Sequence, residues 1–395
     1  MKKNVCIFAL MACIYFFSSL VQSQMVEEIL TEDVSIQRAL SSNIELLEAA
    51  QDIDFASQKI VESKILYFPN FDFNLNCSHF NNSVLTLVSD SMSQAPILLP
   101  DRKQDLRYSA RISVWQNIYT GGRIKTANKL TKINKEKTEN ERDIIKNKII
   151  NDVKLIFNEC LYYRELLEIN IAKLRSVELG RMQLSSENIK KLRRKCIEEQ
   201  LSFEKELLNL LAVMGKDINS IVRISGKAIP KIKQLNFDKC LFLAYQFKPE
   251  LKSSQTQEKL NSLSLNLLSL QKFPKITLGA AQEWLGARLF KDDMNWYISL
   301  NANIPIFDGG SLFTKIKQGR IKIRQSVLAR AKAEREVRLS ISKSFLEYNF
   351  WRKRAIEAKL LEKKHYDEDD IELIRNLNRS YCNLEFAVGV DLDSY

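Results

Sequence analysis

The chain carries one pattern twice. A segment alternating apolar and polar residues runs into a Gly-Gly pair and then a long helical stretch, first over Leu106–Leu174 and again over Trp296–Lys363. The first copy reads R-Y-S-A-R-I-S-V-W-Q-N-I-Y-T-G-G-R and the second W-Y-I-S-L-N-A-N-I-P-I-F-D-G-G-S. An internal repeat constrains the fold more than any local propensity, because each copy must build the same supersecondary unit.

The repeat extends upstream. Ala39–Leu46 corresponds to Ala244–Leu251, and each stretch is followed after 23 residues by a proline, Pro69 or Pro274, in an aromatic-Pro pair. Each intervening stretch reads as a helix, and each proline opens an extended segment, where its missing N–H is tolerated. In the first segment Phe71, Phe73, Leu75 and Cys77 alternate with Asn70, Asp72, Asn74 and Asn76; in the second Ile276, Leu278, Ala280 and Trp284 oppose Lys275, Thr277 and Glu283. The segments before the glycines behave alike. Tyr108, Ala110, Ile112, Val114 and Ile118 oppose Arg107, Ser109, Arg111, Ser113 and Asn117. Trp296, Ile298, Leu300, Ala302, Ile304 and Ile306 oppose Tyr297, Ser299, Asn301 and Asn303. Period two places these sets on opposite faces of a sheet. A sandwich turns the apolar face inward; a membrane barrel turns it outward. Four strands of about ten residues suit a tilted bilayer crossing. They form two hairpins with loops at Ser78–Gln104 and Leu285–Asn295. Four strands cannot close a barrel, which needs about eight merely to fill with side chains, so spanning lipid would take several copies of the chain.

Behind Gly122 and Gly310 the apolar residues Ile149, Val153, Phe157 and Cys160 are matched by Val337, Ile341, Phe345 and Tyr348. This narrow stripe predicts coiled-coil packing. The glycines supply a tight strand-to-helix turn without a Cβ; no phosphate-loop motif follows them. Only 11 Gly and 7 Pro in 395 residues fit long helices with few turns.

Lys2 and Lys3 precede the apolar run Val5–Val21, and Val21-Gln22-Ser23 offers a cleavage site before Gln24. This arrangement reads as an export signal. The run is shorter than the roughly 20 residues of a spanning helix, and no later segment is one. A membrane role would therefore rest on strands. The net charge of +12 falls to +10 without Lys2 and Lys3; lacking a compact basic motif, it reads as a solvated helical surface and not a nucleic-acid site. The remaining Cys77, Cys160, Cys196, Cys240 and Cys382 are scattered, and His79 and His365 sit in no metal-ligand spacing. No disulfide framework, metal, cofactor or catalytic residue is expected.

Taken together, Ile304-Pro-Ile-Phe-Asp-Gly-Gly310 with the helix Ser311–Arg354, the weaker copy Asn117-Ile-Tyr-Thr-Gly-Gly122, Lys248-Pro-Glu-Leu251 and Leu208–Gly215 make the chain resemble the TolC family of outer-membrane efflux proteins, from Thr31 to about Glu385. The resemblance implies a mainly α protein with membrane β. Long coiled-coil helices and four amphipathic strands per chain would join, in a homotrimer, a twelve-stranded barrel to an α-helical periplasmic tunnel. It implies a passive outer-membrane channel in a Gram-negative bacterium, working with a periplasmic adaptor and an inner-membrane pump in efflux or type I secretion, with no enzyme activity. A periplasmic coiled-coil adaptor or a non-functional truncated efflux protein is the alternative. On this reading Phe71, Phe73, Leu75, Ile112, Val114, Ile276, Leu278, Ile298, Leu300 and Ile304 face outer-membrane lipid. Asn74, Asn76, Arg111, Ser113, Ser299, Asn301 and Asn303 face the lumen. Gly121, Gly122, Pro305, Phe307, Asp308, Gly309 and Gly310 make the strand-to-helix turns.

The sequence departs from the family pattern in two places. Only 93 residues separate Gly122 from Gly215, so two equal arms would reach about 70 Å each, and the first helical hairpin looks shortened around Arg181–Lys195. The chain ends 85 residues after Gly310, with Ala387–Tyr395 resembling the turn at the periplasmic tip. The expected division is a signal peptide (1–23), a first repeat (24–215), a linker (216–236) and a second repeat (237–395) lacking its final return helix. Residues 356–395 are then expected to be the least ordered part.

Overall fold

A computed structural model describes residues 28–79, 87–89, 96–98, 106–181, 185–286, 290, 294–363 and 365–393. The signal segment 1–23 and most of the loop 78–104 lie outside the described residues.

Strand β1 (Glu28–Leu30) leads into α1 (Glu32–Ser42) and α2 (Ile44–Ile65). Then come β2 (Asn70–His79), the short β3 (Leu87–Ser89) and β4 (Pro96–Leu98), which pair with each other, and β5 (Leu106–Tyr119). Helices α3 (Arg123–Glu178) and α4 (Ser186–Val213) form a hairpin, and β6 (Val222–Ile224) returns to pair in parallel with β1. The second repeat follows as α5 (Phe237–Phe247), α6 (Pro249–Ser269), β7 (Lys275–Gly286), β8 (Met294–Asn303), α7 (Ser311–Glu357) and α8 (Glu368–Val388). The copies match in their helices and long strands, while β1, β3 and β4 have no counterpart in the second: α1 and α5 have 11 residues each, α2 has 22 against 21 in α6, and α3 has 56 against 47 in α7.

Two compact units cut across both repeats, so the repeats are units of sequence and not of packing. One comprises Gln51–Asn140 and Lys252–Ala333. It contains a four-stranded antiparallel sheet in the order β2-β5-β7-β8, with parts of α2, α3, α6 and α7. The hydroxyls of Ser63 and Thr131 meet at 3.2 Å between α2 and α3. In the second repeat the same two positions are Leu268 and Gly319, where an added Cβ would lie 3.7 Å from the leucine. The repeat therefore holds in space at residue level. Between the copies, Asn140 donates to Thr256 (3.4 Å) and Glu136 pairs with Lys259 (3.7 Å).

The other unit holds Met1–Ala50, Glu141–Leu251 and Glu334–Tyr395. Its core contains most of the predicted stripe: Ile149, Val153, Phe157, Cys160, Val337, Ile341 and Tyr348 are buried, and Phe345 is half-buried. The arms of the first hairpin are unequal in length. At about 1.5 Å per residue, α3 with 56 residues spans about 84 Å and α4 with 28 about 42 Å.

The expectation of a missing return helix does not hold. α7 stops at Glu357, Lys359 takes a left-handed φ of 51°, and the chain reverses into α8. Tyr348 in α7 meets Tyr381 in α8, ring centroids 5.6 Å apart, which only a reversal allows. α8 runs antiparallel to α3: Lys173 bonds Glu368, Glu159 pairs with Arg375 (2.7 Å), and Lys154 pairs with Glu385 (2.8 Å). Its start is held by a capping box between Asp367 and Asp370, and three acidic residues in its first turn complement the helix dipole. Ile371, Ile374, Asn378, Tyr381, Glu385 and Val388, spaced three and four apart, are buried. Lys248 donates to the terminal carbonyls of Phe386 (3.2 Å) and Ala387 (2.8 Å). Residues 368–388 are thus among the best packed of the chain, not the least ordered.

Residues 216–236, between the repeats, make contacts of their own. Besides β6 they supply a strap: Lys231 N–H donates to Asn378 (3.0 Å), Lys233 N–H to the Tyr348 hydroxyl (2.8 Å) and Ala228 N–H to Glu165 (2.7 Å).

The Lys154–Glu385 pair has side chains only 10% and 6% exposed. Burial, stronger than the pull of Lys154, pushes the Glu385 carboxyl up to about 6. Breaking such a pair leaves one buried charge without its counterion, whereas an apolar pair can replace both. Lys154→Met should therefore cost about 3–5 kcal/mol, and adding Glu385→Leu should recover most of it. Urea denaturation of the two variants followed by tryptophan fluorescence checks this; an equal loss in both would refute it.

Candidate functional site: a two-faced sheet and its turns

The register places every strand of the sheet on a common pair of faces. Phe71, Phe73 and Leu75 of β2 lie opposite Val114, Ile112 and Ala110 of β5. Val114 and Ala110 lie opposite Ala280 and Trp284 of β7. Leu278, Ala280 and Trp284 lie opposite Leu300, Ile298 and Met294 of β8, and Ile276 opposite Ala302. This face is apolar across four strands, broken by Gln116 and Gln282. It is uncovered: Phe71, Phe73, Leu75, Ile112, Leu278, Trp296, Ile298 and Leu300 are exposed, Leu300 to 68%. Monomeric soluble proteins rarely show so large a contiguous apolar patch.

The opposite face carries Asn74, Asn76, Arg111, Ser113, Ser299, Asn301 and Asn303 together. It is the more enclosed at its centre, where Arg111 of β5 stands opposite Glu283 of β7 and pairs with it at 2.9 Å. Both side chains are only about 15% exposed. Ser113 beside them is buried. Period two identifies Arg111 as a residue of the polar face, but its partner follows only from the register between the two repeats. Ile304 falls outside β8, which ends at Asn303; it and Ile306 and Phe307 are exposed and join no strand.

The four turn glycines all have positive φ: 60° and 81° at Gly121 and Gly122, 69° and 83° at Gly309 and Gly310. Two successive left-handed residues turn the chain out of the sheet and into the helix. Around the second turn the Asp308 carboxylate accepts from Gly310 N–H (3.1 Å) and Leu312 N–H (2.6 Å), satisfying orphan donors of α7. Around the first, Phe273 covers Gly121 so closely that a Cβ there would lie 2.5 Å from the Cβ of Phe273. The Arg123 guanidinium donates to the Phe273 carbonyl (3.3 Å). Nothing lies within 4 Å of a Cβ built on Gly309. Pro305 and Phe307 approach that turn without secondary structure.

Among the described residues, no helix is long and apolar enough to cross a membrane. One group of carboxylates, Glu385, Asp391 and Asp393, lies close enough together for a metal. Its acceptors are already in use: Glu385 by Lys154, and Asp393 by Lys233 (2.6 Å) and the Tyr381 hydroxyl (2.8 Å).

No family model matches the chain, and no curated protein matches its sequence. Its fold does match solved structures. CusC, described by its transmembrane channel formation, superposes with a TM-score of 0.67 at 14% identity, covering 91% of this chain and 92% of that one. The MtrE outer-membrane channel of Neisseria gonorrhoeae gives 0.65 at 15% identity, covering 90% and 88%. The outer-membrane protein VceC of Vibrio cholerae gives 0.64 at 13% identity, covering 91% and 96%. The chain therefore has the fold of the outer-membrane channels, and the resemblance to the TolC family holds at the level of that fold. CusC and MtrE are described as channels.

Replacing Gly121 or Gly310 by alanine imposes the left-handed penalty, about 1–2 kcal/mol, at either site. Only at Gly121 does the new methyl also collide with a side-chain stem. Gly121→Ala should lower the melting temperature in detergent clearly more than Gly310→Ala; the reverse order would contradict the packing described.

Proposed function

We propose that three copies of this chain close their sheets into one twelve-stranded barrel in the outer membrane of a Gram-negative bacterium, and that the helices continue it as a duct through the periplasm. The apolar face meets lipid, and Arg111, Asn301 and their neighbours line the water-filled interior. The observation that carries this reading is the uncovered apolar face, in register over four strands whose other face is polar and holds the Arg111–Glu283 pair. A sheet in a soluble sandwich would cover that apolar face, and a periplasmic adaptor would have no use for it. Four strands are too few for a barrel that encloses water, so the closed form needs more than one copy. The likeness of the fold to outer-membrane channels supports the same reading.

The role that follows is passive export of small molecules or proteins, with a periplasmic adaptor and an inner-membrane pump supplying cargo and energy. The chain itself contributes a lined passage.

A charge on the lipid face near the bilayer midplane costs about 2–4 kcal/mol, and one facing the lumen far less. Leu300→Arg should therefore abolish heat-modifiable oligomers in outer-membrane fractions, while Asn301→Arg should leave them near wild-type amount and lower cation conductance in planar bilayers. Equal assembly of the two variants would sink the assignment of faces.

A further inference from the structure

The sheet has two open edges, the outer sides of β2 and β8. From the internal repeat we infer that β8 of one copy pairs with β2 of the next in a defined register, Leu300 opposite Cys77 and Asn301 opposite Asn76, with Arg324 of α7 facing Asp54 of α2 across the same seam. The inference rests on the closed-barrel reading and adds to it the residues that meet.

The junction between the two repeats inside one chain is the template. β2 and β5 pair from Asn70↔Trp115, and β7 and β8 from Lys275↔Asn303. These are equivalent positions, 205 and 188 residues apart, so both copies have one hairpin register. The copies are joined by β5 and β7, with Trp115↔Gly279, Ser113↔Ala281 and Ile112↔Gln282. Exchanging each residue for its repeat equivalent turns this junction into the seam between chains. It gives Asn303 opposite Asn74, Asn301 opposite Asn76 and Ser299 opposite Ser78 on the polar face. On the apolar face it gives Ala302 opposite Leu75 and Leu300 opposite Cys77. Amides meet amides and hydroxyls meet hydroxyls, pairs that stabilise neighbouring strands.

Two independent features agree. At the internal junction Glu136 of α3 pairs with Lys259 of α6. The equivalent positions are Arg324 and Asp54, both exposed and neither ion-paired among the described residues. Their charges are exchanged yet again complementary. At the same junction Phe273 covers Gly121; its equivalent Phe68 is 66% exposed, and the space over Gly309 is empty. A neighbouring copy brings Phe68 onto Gly309.

Cys77 is exposed and unpaired, which makes the register testable with one substitution. Directly opposite residues on antiparallel strands have Cα atoms about 4.5–5.5 Å apart, inside the range for a disulfide, whereas residues two positions along are about 7–8 Å away. In outer-membrane vesicles of the full chain, diamide accepts the two thiol protons and two electrons as the sulfur–sulfur bond forms. Leu300→Cys should give covalent dimers and trimers at least fivefold faster than Ile298→Cys or Ala302→Cys, and Cys77→Ser should abolish them. The pair Asn76→Cys with Asn301→Cys, in a Cys77→Ser background, should cross-link equally well through the polar face. Heat-modifiable oligomers that cross-link fastest in the Ile298→Cys or Ala302→Cys variant would overturn the register and leave the barrel reading standing. Absence of oligomers in the wild type would overturn both.

Discussion

An amide in hydrocarbon must find its hydrogen bond inside the protein, and the sheet of the proposed barrel is bound by that requirement. Unsatisfied backbone groups each cost several kcal/mol in lipid, so only helices and closed sheets persist there. The described sheet satisfies three of its junctions and leaves the outer edges of β2 and β8 open. In water a long open edge invites aggregation. In lipid it must be closed by another strand. The repeat supplies the means, since the junction of β5 with β7 already shows how the end of one copy receives the start of the other.

The turns transmit this arrangement to the helices. Two left-handed glycines at each turn let α3 and α7 leave the sheet without backbone strain, and Phe273 seats the first of these turns. Farther along, a different chemistry takes over. The unit built from the helix ends has a buried apolar stripe, but polar groups fix its details: Tyr348 bonds the 231–233 strap, Asn378 meets Ile229 and Lys231, and Lys248 caps α8. Burial lowers the proton affinity of Lys248, against the pull of the Glu250 carboxylate 3.8 Å away, and two helix-terminal carbonyls also receive its charge.

Alternation was legible because a period of two survives any register, so the faces of Phe71, Asn74, Leu300 and Asn301 could be read directly from the residues. What stands opposite what could not, since Arg111 and Glu283 are 172 positions apart in the chain and only the sheet brings them together. The break after Glu357 was hidden for a different reason. No glycine or proline marks it, and Lys359 adopts a left-handed conformation that lysine seldom takes. The signal that existed was Asp367-Glu-Asp-Asp370, an acidic first turn with a capping spacing, set inside a charged stretch that resembled more solvated helix. Strands β1 and β6 have three residues each, too few for any periodicity, and pair across nearly the whole first repeat.

The ion pair between Glu136 and Lys259 joins the first repeat to the second. At the equivalent outer positions stand Asp54 on the first repeat and Arg324 on the second. Were two first repeats to meet, Glu136 would face Asp54; were two second repeats to meet, Arg324 would face Lys259. Both encounters set like charges together, and discrimination between partners often comes from such repulsion. Only alternating order escapes it. A ring obeying that order contains an even number of repeats, and so can be assembled from whole chains but never completed by a stray half. The two halves have diverged just enough to tell themselves apart.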